Sequence, residues 1–156
     1  MKLIGREAQK KQIERYFVDD RSHFMVVYGR RRIGKTFLIK EYFQNDFAFY
    51  CTGLLNGNKG KQLNNFVTNM TNQLAFFSEN ATINNCYDAF NELIKAFSKI
   101  KGNQKKVIFL DELPSTDTAG SDFLLGLEYF WNSWASARKD ILFIVCVSAT
   151  SWVVNK

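Results

Sequence analysis

The residues best equipped for chemistry stand in one run of eight, Gly29-Arg30-Arg31-Arg32-Ile33-Gly34-Lys35-Thr36. Two glycines, a lysine and a threonine at this spacing are what a phosphate-wrapping loop requires. Gly29 and Gly34 allow a tight curl that turns successive backbone N–H groups inward onto phosphate oxygens. Lys35 brings a mobile positive charge to the outer phosphates, and Thr36 offers a hydroxyl to Mg2+. Arg30, Arg31, Arg32 and Ile33 fill the variable places, where the backbone amides serve whichever side chains they carry. Phe37 continues into a helix whose positive N-terminal end adds to the attraction. By composition alone such a run arises in about one chain in a few hundred of this length. The expected ligands are ATP and ADP.

A second locus follows some 75 residues later by count along the chain, in "KVIFLDEL". Val107 to Leu110 form an apolar run that delivers Asp111 and Glu112 at its end. Ligands of open α/β sheets bind at that end of a strand. Asp111 is the expected partner of Thr36 in holding Mg2+, and Glu112 is placed to orient or deprotonate an attacking water. In "IVCVSAT", Ser148 and Thr150 emerge where a third apolar run stops, within reach of a γ-phosphate or its water. Ser148 therefore joins Lys35 and Glu112 as a candidate catalytic residue.

Positioning these groups requires strands whose ends meet. Phe24–Tyr28, Lys106–Glu112 and Ile141–Ser148 read as short buried strands, with Phe47–Gly53 as a fourth. Between them, apolar residues recur at helical spacing: Leu63, Phe66, Val67, Met70, Leu74 and Phe77; then Tyr87, Phe90, Leu93, Ile94 and Phe97; then Phe123, Leu124, Leu127, Phe130, Trp131 and Trp134. Ser121 is positioned to cap the last of these helices, and the aromatic stripes read as core packing. Gly53–Lys61 reads as a flexible loop. Strands alternating with helices predict an α/β fold, a parallel sheet with helices on both faces.

Composition narrows the classes further. Aromatic residues reach 15% with a single proline, which excludes a disordered chain. The formal charge of +6 suits an anionic partner, either nucleotide or nucleic acid. Cys51, Cys86 and Cys146 are odd in number, far apart and set among apolar residues, so a disulfide framework is not expected. With one histidine, His23, neither is a zinc site. No signal-like segment opens the chain and no run approaches the roughly 20 apolar residues of a membrane span. A soluble cytoplasmic protein is the expectation.

Taken together, "LIGREAQKKQIERYF", "YGRRRIGKTFLIKEYF", "VIFLDELP", "DFLLGLEYFWNSWA" and "ILFIVCVSATSW" resemble the archaeal-type ATPase family, within the AAA+ and STAND phosphate-loop NTPases. The resemblance spans essentially the whole chain. It implies a P-loop NTPase core of the additional-strand, catalytic-glutamate type and a Mg2+-dependent ATP-binding function. In that family a further core strand, a helical lid and a winged-helix segment follow. Residues 1–156 are therefore expected to form a single core lacking its last strand and lid. Slow ATP hydrolysis, or a nucleotide switch, is the expected activity. Ser115 stands where the family usually has a bulky aromatic, and Val147 where it usually has glycine; both point to slower hydrolysis. The alternative is a truncated remnant that binds nucleotide without hydrolysis, or self-associates into a homo-oligomer. Arg21 and Arg138 are candidates for an arginine acting on the phosphates. Nucleic-acid binding and a small-molecule kinase remain further alternatives, the latter disfavoured by the Asp-Glu strand end.

Overall fold

A computed structural model describes residues 7–29, 34–53, 59–78, 80–112 and 123–148; of Tyr28, Lys35, Lys59, Val147 and Ser148 it describes the backbone alone. In chain order the elements are α1 (Glu7–Val18), β1 (His23–Gly29), α2 (Lys35–Phe43), β2 (Phe49–Thr52), α3 (Lys59–Gln73), α4 (Cys86–Ser98), β3 (Lys106–Asp111), α5 (Phe123–Ser133), a single 3-10 turn (Ala135–Ala137) and β4 (Ile141–Ser148).

The four strands form one sheet in the order β1-β4-β3-β2, and every pair is parallel. β4, the most apolar of them, sits inside the sheet, as a strand with no polar face must. Its side chains divide by alternation. Ile141, Phe143 and Val145 pack with Phe66, Phe90, Phe97 and Phe130 under α3, α4 and α5. Leu142, Ile144 and Cys146 pack with Ile13, Leu38, Ile39 and Phe43 under α1 and α2. The sheet is thus covered on both faces, and the aromatic stripes of the helices are core.

Parallel pairing has a consequence for function. Register sets Gly29 beside Ser148 and Thr52 beside Asp111. All four carboxyl ends therefore open at one end of the sheet. The opposite, amino end is bolted by charge. Lys106 Nζ donates to Asp140 Oδ2 at 2.8 Å, and Arg138 grips both oxygens of the same carboxylate at 2.8 Å each. Lys105 Nζ donates to the carbonyls of Asp19, Arg21 and Lys139, joining three loops.

Local sequence explains the helix positions. Asn85 caps α4 by accepting a hydrogen bond from the Asp88 N–H at 2.8 Å. Gly126 lets α5 approach α4 closely, because a Cβ there would lie 2.7 Å from Phe90 Cδ2 and 3.0 Å from the Cys86 carbonyl oxygen.

Several boundaries differ from expectation. α1 is an element the apolar pattern did not announce; Ile13 is its buried residue, with Tyr16 and Phe17 packed partly buried beside it. α3 begins at Lys59, so Lys59–Lys61 are helical rather than loop, and it ends at Gln73, before the last two residues of its apolar stripe. Leu74 is nonetheless buried and Phe77 packs against the same core. β2 is shorter than the Phe47–Gly53 run, and β3 stops at Asp111, leaving Glu112 just beyond the strand. Ser121 and Thr150 lie outside the described residues.

Candidate functional site

The site is built where β1 and β3 end. Gly34 caps the N-terminus of α2 with φ 89°, ψ 9°, a left-handed conformation that suits glycine. Its carbonyl accepts the Leu38 N–H at 2.8 Å and so starts the helix. Thr36, the second residue of α2, faces the end of β3. Its Oγ1 lies 2.9 Å from Asp111 Oδ1 and 2.9 Å from Oδ2, a hydrogen bond shared across the carboxylate. Residues 75 positions apart are thereby joined, as the spacing of the two motifs predicts.

Asp111 is buried, with 4% of its surface exposed. Burial raises its pKa above the ordinary 3.8, the Thr36 hydrogen bond opposes that rise, and the neighbouring Glu112 charge reinforces it. A desolvated carboxylate next to a hydroxyl is a hard-oxygen pair in need of positive charge.

Glu112 has φ 52°, in the left-handed region where a residue with a Cβ costs about 1–2 kcal/mol. The chain turns sharply there, just after the strand. Ser148 closes β4 in register with Gly29, and Lys35 is the first residue of α2. The side chains of both lie outside the description, as do Arg30, Arg31, Arg32 and Ile33 altogether. Phe37 is half-buried on the first turn of α2.

Arg21 and Arg138 are at the wrong end. Arg138 precedes β4, stacks 4.6 Å over the Trp134 ring and is committed to Asp140. Arg21 precedes β1, its guanidinium 3.9 Å from Asp19. The eight residues of β4 separate Arg138 from the Ser148 end by about 25 Å. Neither arginine reaches the Thr36–Asp111 pair.

A layer of residues around this corner has no signature in the motifs. Gly53 N–H donates to the Asp111 carbonyl at 2.8 Å. Thr52 Oγ1 donates to Tyr50 Oη at 2.6 Å, and Lys40 Nζ sits 4.7 Å from the Tyr50 ring centroid. Asn65 of α3 donates to the Thr52 carbonyl at 2.8 Å. A cavity of about 20 Å3, room for about one water, touches Asp111, Gly53, Gln62 and Asn65. Two open hollows of about 660 and 760 Å3 lie instead at the amino end, beside Lys105 and Phe17. They share no residue with the Thr36–Asp111 corner.

The geometry agrees with what the sequence is related to. Residues 3–156 match the family described as an ATPase domain predominantly from Archaea. The chain belongs to that family. Among curated proteins, this archaeal-type ATPase domain is 36% identical over 43 residues to an uncharacterized ATP-binding protein of Methanocaldococcus jannaschii. That match covers 28% of this chain and 73% of the relative. The α/β architecture expected of the family is the one observed. Cys51, Cys86 and Cys146 of the ATPase domain are buried and form no disulfide; burial lifts the Cys51 thiol to about 12, which leaves it inert as a nucleophile. Among the described residues no helix is long and apolar enough to cross a membrane.

Proposed function

We propose that this chain is a Mg2+-dependent ATP-binding domain that hydrolyses ATP slowly or serves as a nucleotide switch. The observation that carries this reading is the Thr36–Asp111 hydrogen bond at the N-terminus of α2. Backbone amides from Gly29 to Gly34, together with the N-terminal end of α2, would receive the phosphates. Lys35 would neutralise the outer phosphates, and Phe37 would follow the loop into the helix. Thr36 and Asp111 present a hydroxyl and a carboxylate oxygen, the hard donors that Mg2+ takes, so they would hold the ion. Once bound, Mg2+ would neutralise charge building on the transferred phosphoryl group. Glu112, next along the chain, would orient the attacking water and accept its proton. Ser148 at the end of β4 would face the γ-phosphate.

Calorimetric titration with ATP and ADP, with and without Mg2+, tests the binding half. Wild type should bind with heat that grows in Mg2+, and Lys35→Ala should lose it. No heat in wild type would sink the proposal. Glu112→Gln should keep ATP binding and abolish turnover; equal turnover in both would remove the role of Glu112. Turnover of wild type in the range of about 1 to 1,000 per second would contradict the slow-ATPase reading.

Self-association has one observation in its favour. Among the described residues β1 is a sheet edge, it carries neither acid, lysine nor arginine, and Val26 on it is exposed. Light scattering that returns a monomer at high concentration would dismiss it. A nucleic-acid partner rests on net charge alone, and a cytoplasmic location on composition.

A further inference from the structure

One helix face outside the motifs is tied, link by link, to the end of β3. Asn65, Asn69 and Gln73 stand at intervals of four on α3, so their side chains form a single stripe. Gln73 Nε2 donates to Asn69 Oδ1 at 3.0 Å. Asn69 Nδ2 donates to Asn65 Oδ1 at 3.3 Å and to the Asn65 carbonyl at 2.9 Å. Asn65 Nδ2 in turn donates to the Thr52 carbonyl at 2.8 Å. That carbonyl and the Gly53 N–H are the two ends of one peptide unit, and the Gly53 N–H donates to the Asp111 carbonyl. The Asp111 carbonyl belongs to the peptide joining Asp111 to Glu112.

The donors all point the same way along this chain of amides. Each bond polarises the next, so the set holds its last member more firmly than separate bonds would. The stripe is anchored at its far end as well. Gln73 accepts from the Tyr50 N–H at 2.9 Å and donates to the Tyr50 carbonyl at 2.6 Å, imitating a neighbouring strand along the open edge of β2. The stripe meets the open edge of β2 at Tyr50 and again at Thr52, the last residue of the strand. From there the path crosses the Thr52–Gly53 peptide and the β2–β3 ladder bond to Asp111, beside Glu112 in the candidate site. There it meets Glu112 in its left-handed conformation, which needs outside support to persist.

We infer that Gln73, Asn69 and Asn65 form a directional amide relay that fixes the plane of the Asp111–Glu112 peptide, with Asn65 as a positioning residue for ATP hydrolysis. The inference rests on the proposed role of Glu112 in orienting water. Its bonds run to the Asp111–Glu112 peptide and, among the described residues, to none of the loop ahead of α2, so it acts on turnover and spares nucleotide affinity.

The test compares wild type, Asn65→Ala and Asn65→Asp, the last preserving size while removing the donor to Thr52. Steady-state ATP hydrolysis, ATP titration calorimetry, thermal melting and amide hydrogen exchange at Gly53 are measured on each. Expected in both variants are a tenfold or greater fall in kcat, an ATP dissociation constant within twofold of wild type, and at least tenfold faster exchange at Gly53. Asn69→Ala should move the same quantities in the same direction by a smaller factor. Unchanged kcat, unchanged Gly53 exchange, or a fall in affinity that tracks the fall in kcat would each overturn the relay. Failure of the underlying function reads differently: it leaves wild type as inactive as Glu112→Gln, whereas failure of the relay leaves wild type and Asn65→Ala equally active.

Discussion

Asp111 keeps a carboxylate where burial favours its neutral form, and Thr36 gives it one neutral partner. Since its pKa is raised above 3.8, the folded nucleotide-free chain holds that proton more tightly than the unfolded chain does. Stability therefore falls as pH rises from about 4 through the raised value, and at neutral pH the charge is a cost. Asp111→Asn removes the charge and keeps an oxygen for the Thr36 hydroxyl. It should raise the melting temperature of the nucleotide-free protein at pH 7 by about 2–4 °C, the shift that roughly 1 kcal/mol produces at this size. The same variant should lose the Mg2+ dependence of ATP binding. Scanning calorimetry in chelator, followed by ATP titration, reads both; a lower melting temperature would contradict the account. The pairing of Thr36 with Asp111 was legible in the sequence, because each motif carries its own spacing and strand context. Asn65 was not legible. An asparagine on a polar helix face has many uses, and its role depends on which backbone carbonyl the fold brings opposite it.

At the level of elements, β3 and β4 are legible in the sequence because neither has a polar face to confuse its period. α1 is harder to read for the opposite reason, since its core-facing residues, Ile13, Tyr16 and Phe17, span little more than one turn. The start of α3 is hidden because Gly60 and its neighbours look like loop chemistry, while packing of Phe66 and Met70 on the sheet overrides that local preference. Contact between α4 and α5 has its own weak point at Gly126, where the facing atoms are a fully buried ring and a backbone carbonyl. Neither can swing aside. Gly126→Ala gains helix propensity of about 1 kcal/mol but forces a separation costing about 1–3 kcal/mol. A net loss of about 1 kcal/mol is expected in urea unfolding, with Gly126→Val worse; a stabilised Gly126→Ala would show that the two helices yield easily.

Across the whole molecule, the parallel sheet divides labour between its ends. The amino end is fastened by Lys106, Asp140 and Arg138, and the carboxyl end holds Thr36, Asp111 and Glu112. Burial alone would lift Asp140, but the hydrogen bonds and charges of Arg138 and Lys106 outweigh it and bring its pKa down to about 2. A depressed pKa stabilises the fold above the unfolded value of 3.8 and loses that contribution as pH falls toward 2. Acid unfolding of wild type should therefore steepen between about pH 4 and 2. Asp140→Asn, which leaves Lys106 buried without its counter-ion, should cost about 3–5 kcal/mol at pH 7 and flatten that acid limb; an unchanged acid limb would dismiss the role of Asp140. The Thr36 hydroxyl has a different part to play in the life of the molecule. By leaning on Asp111 it acts as a built-in understudy, sparing the carboxylate from standing alone. Under the proposed function an arriving Mg2+ would first have to win that hydroxyl away, so the ion's apparent grip would reflect a contest with the chain's own threonine.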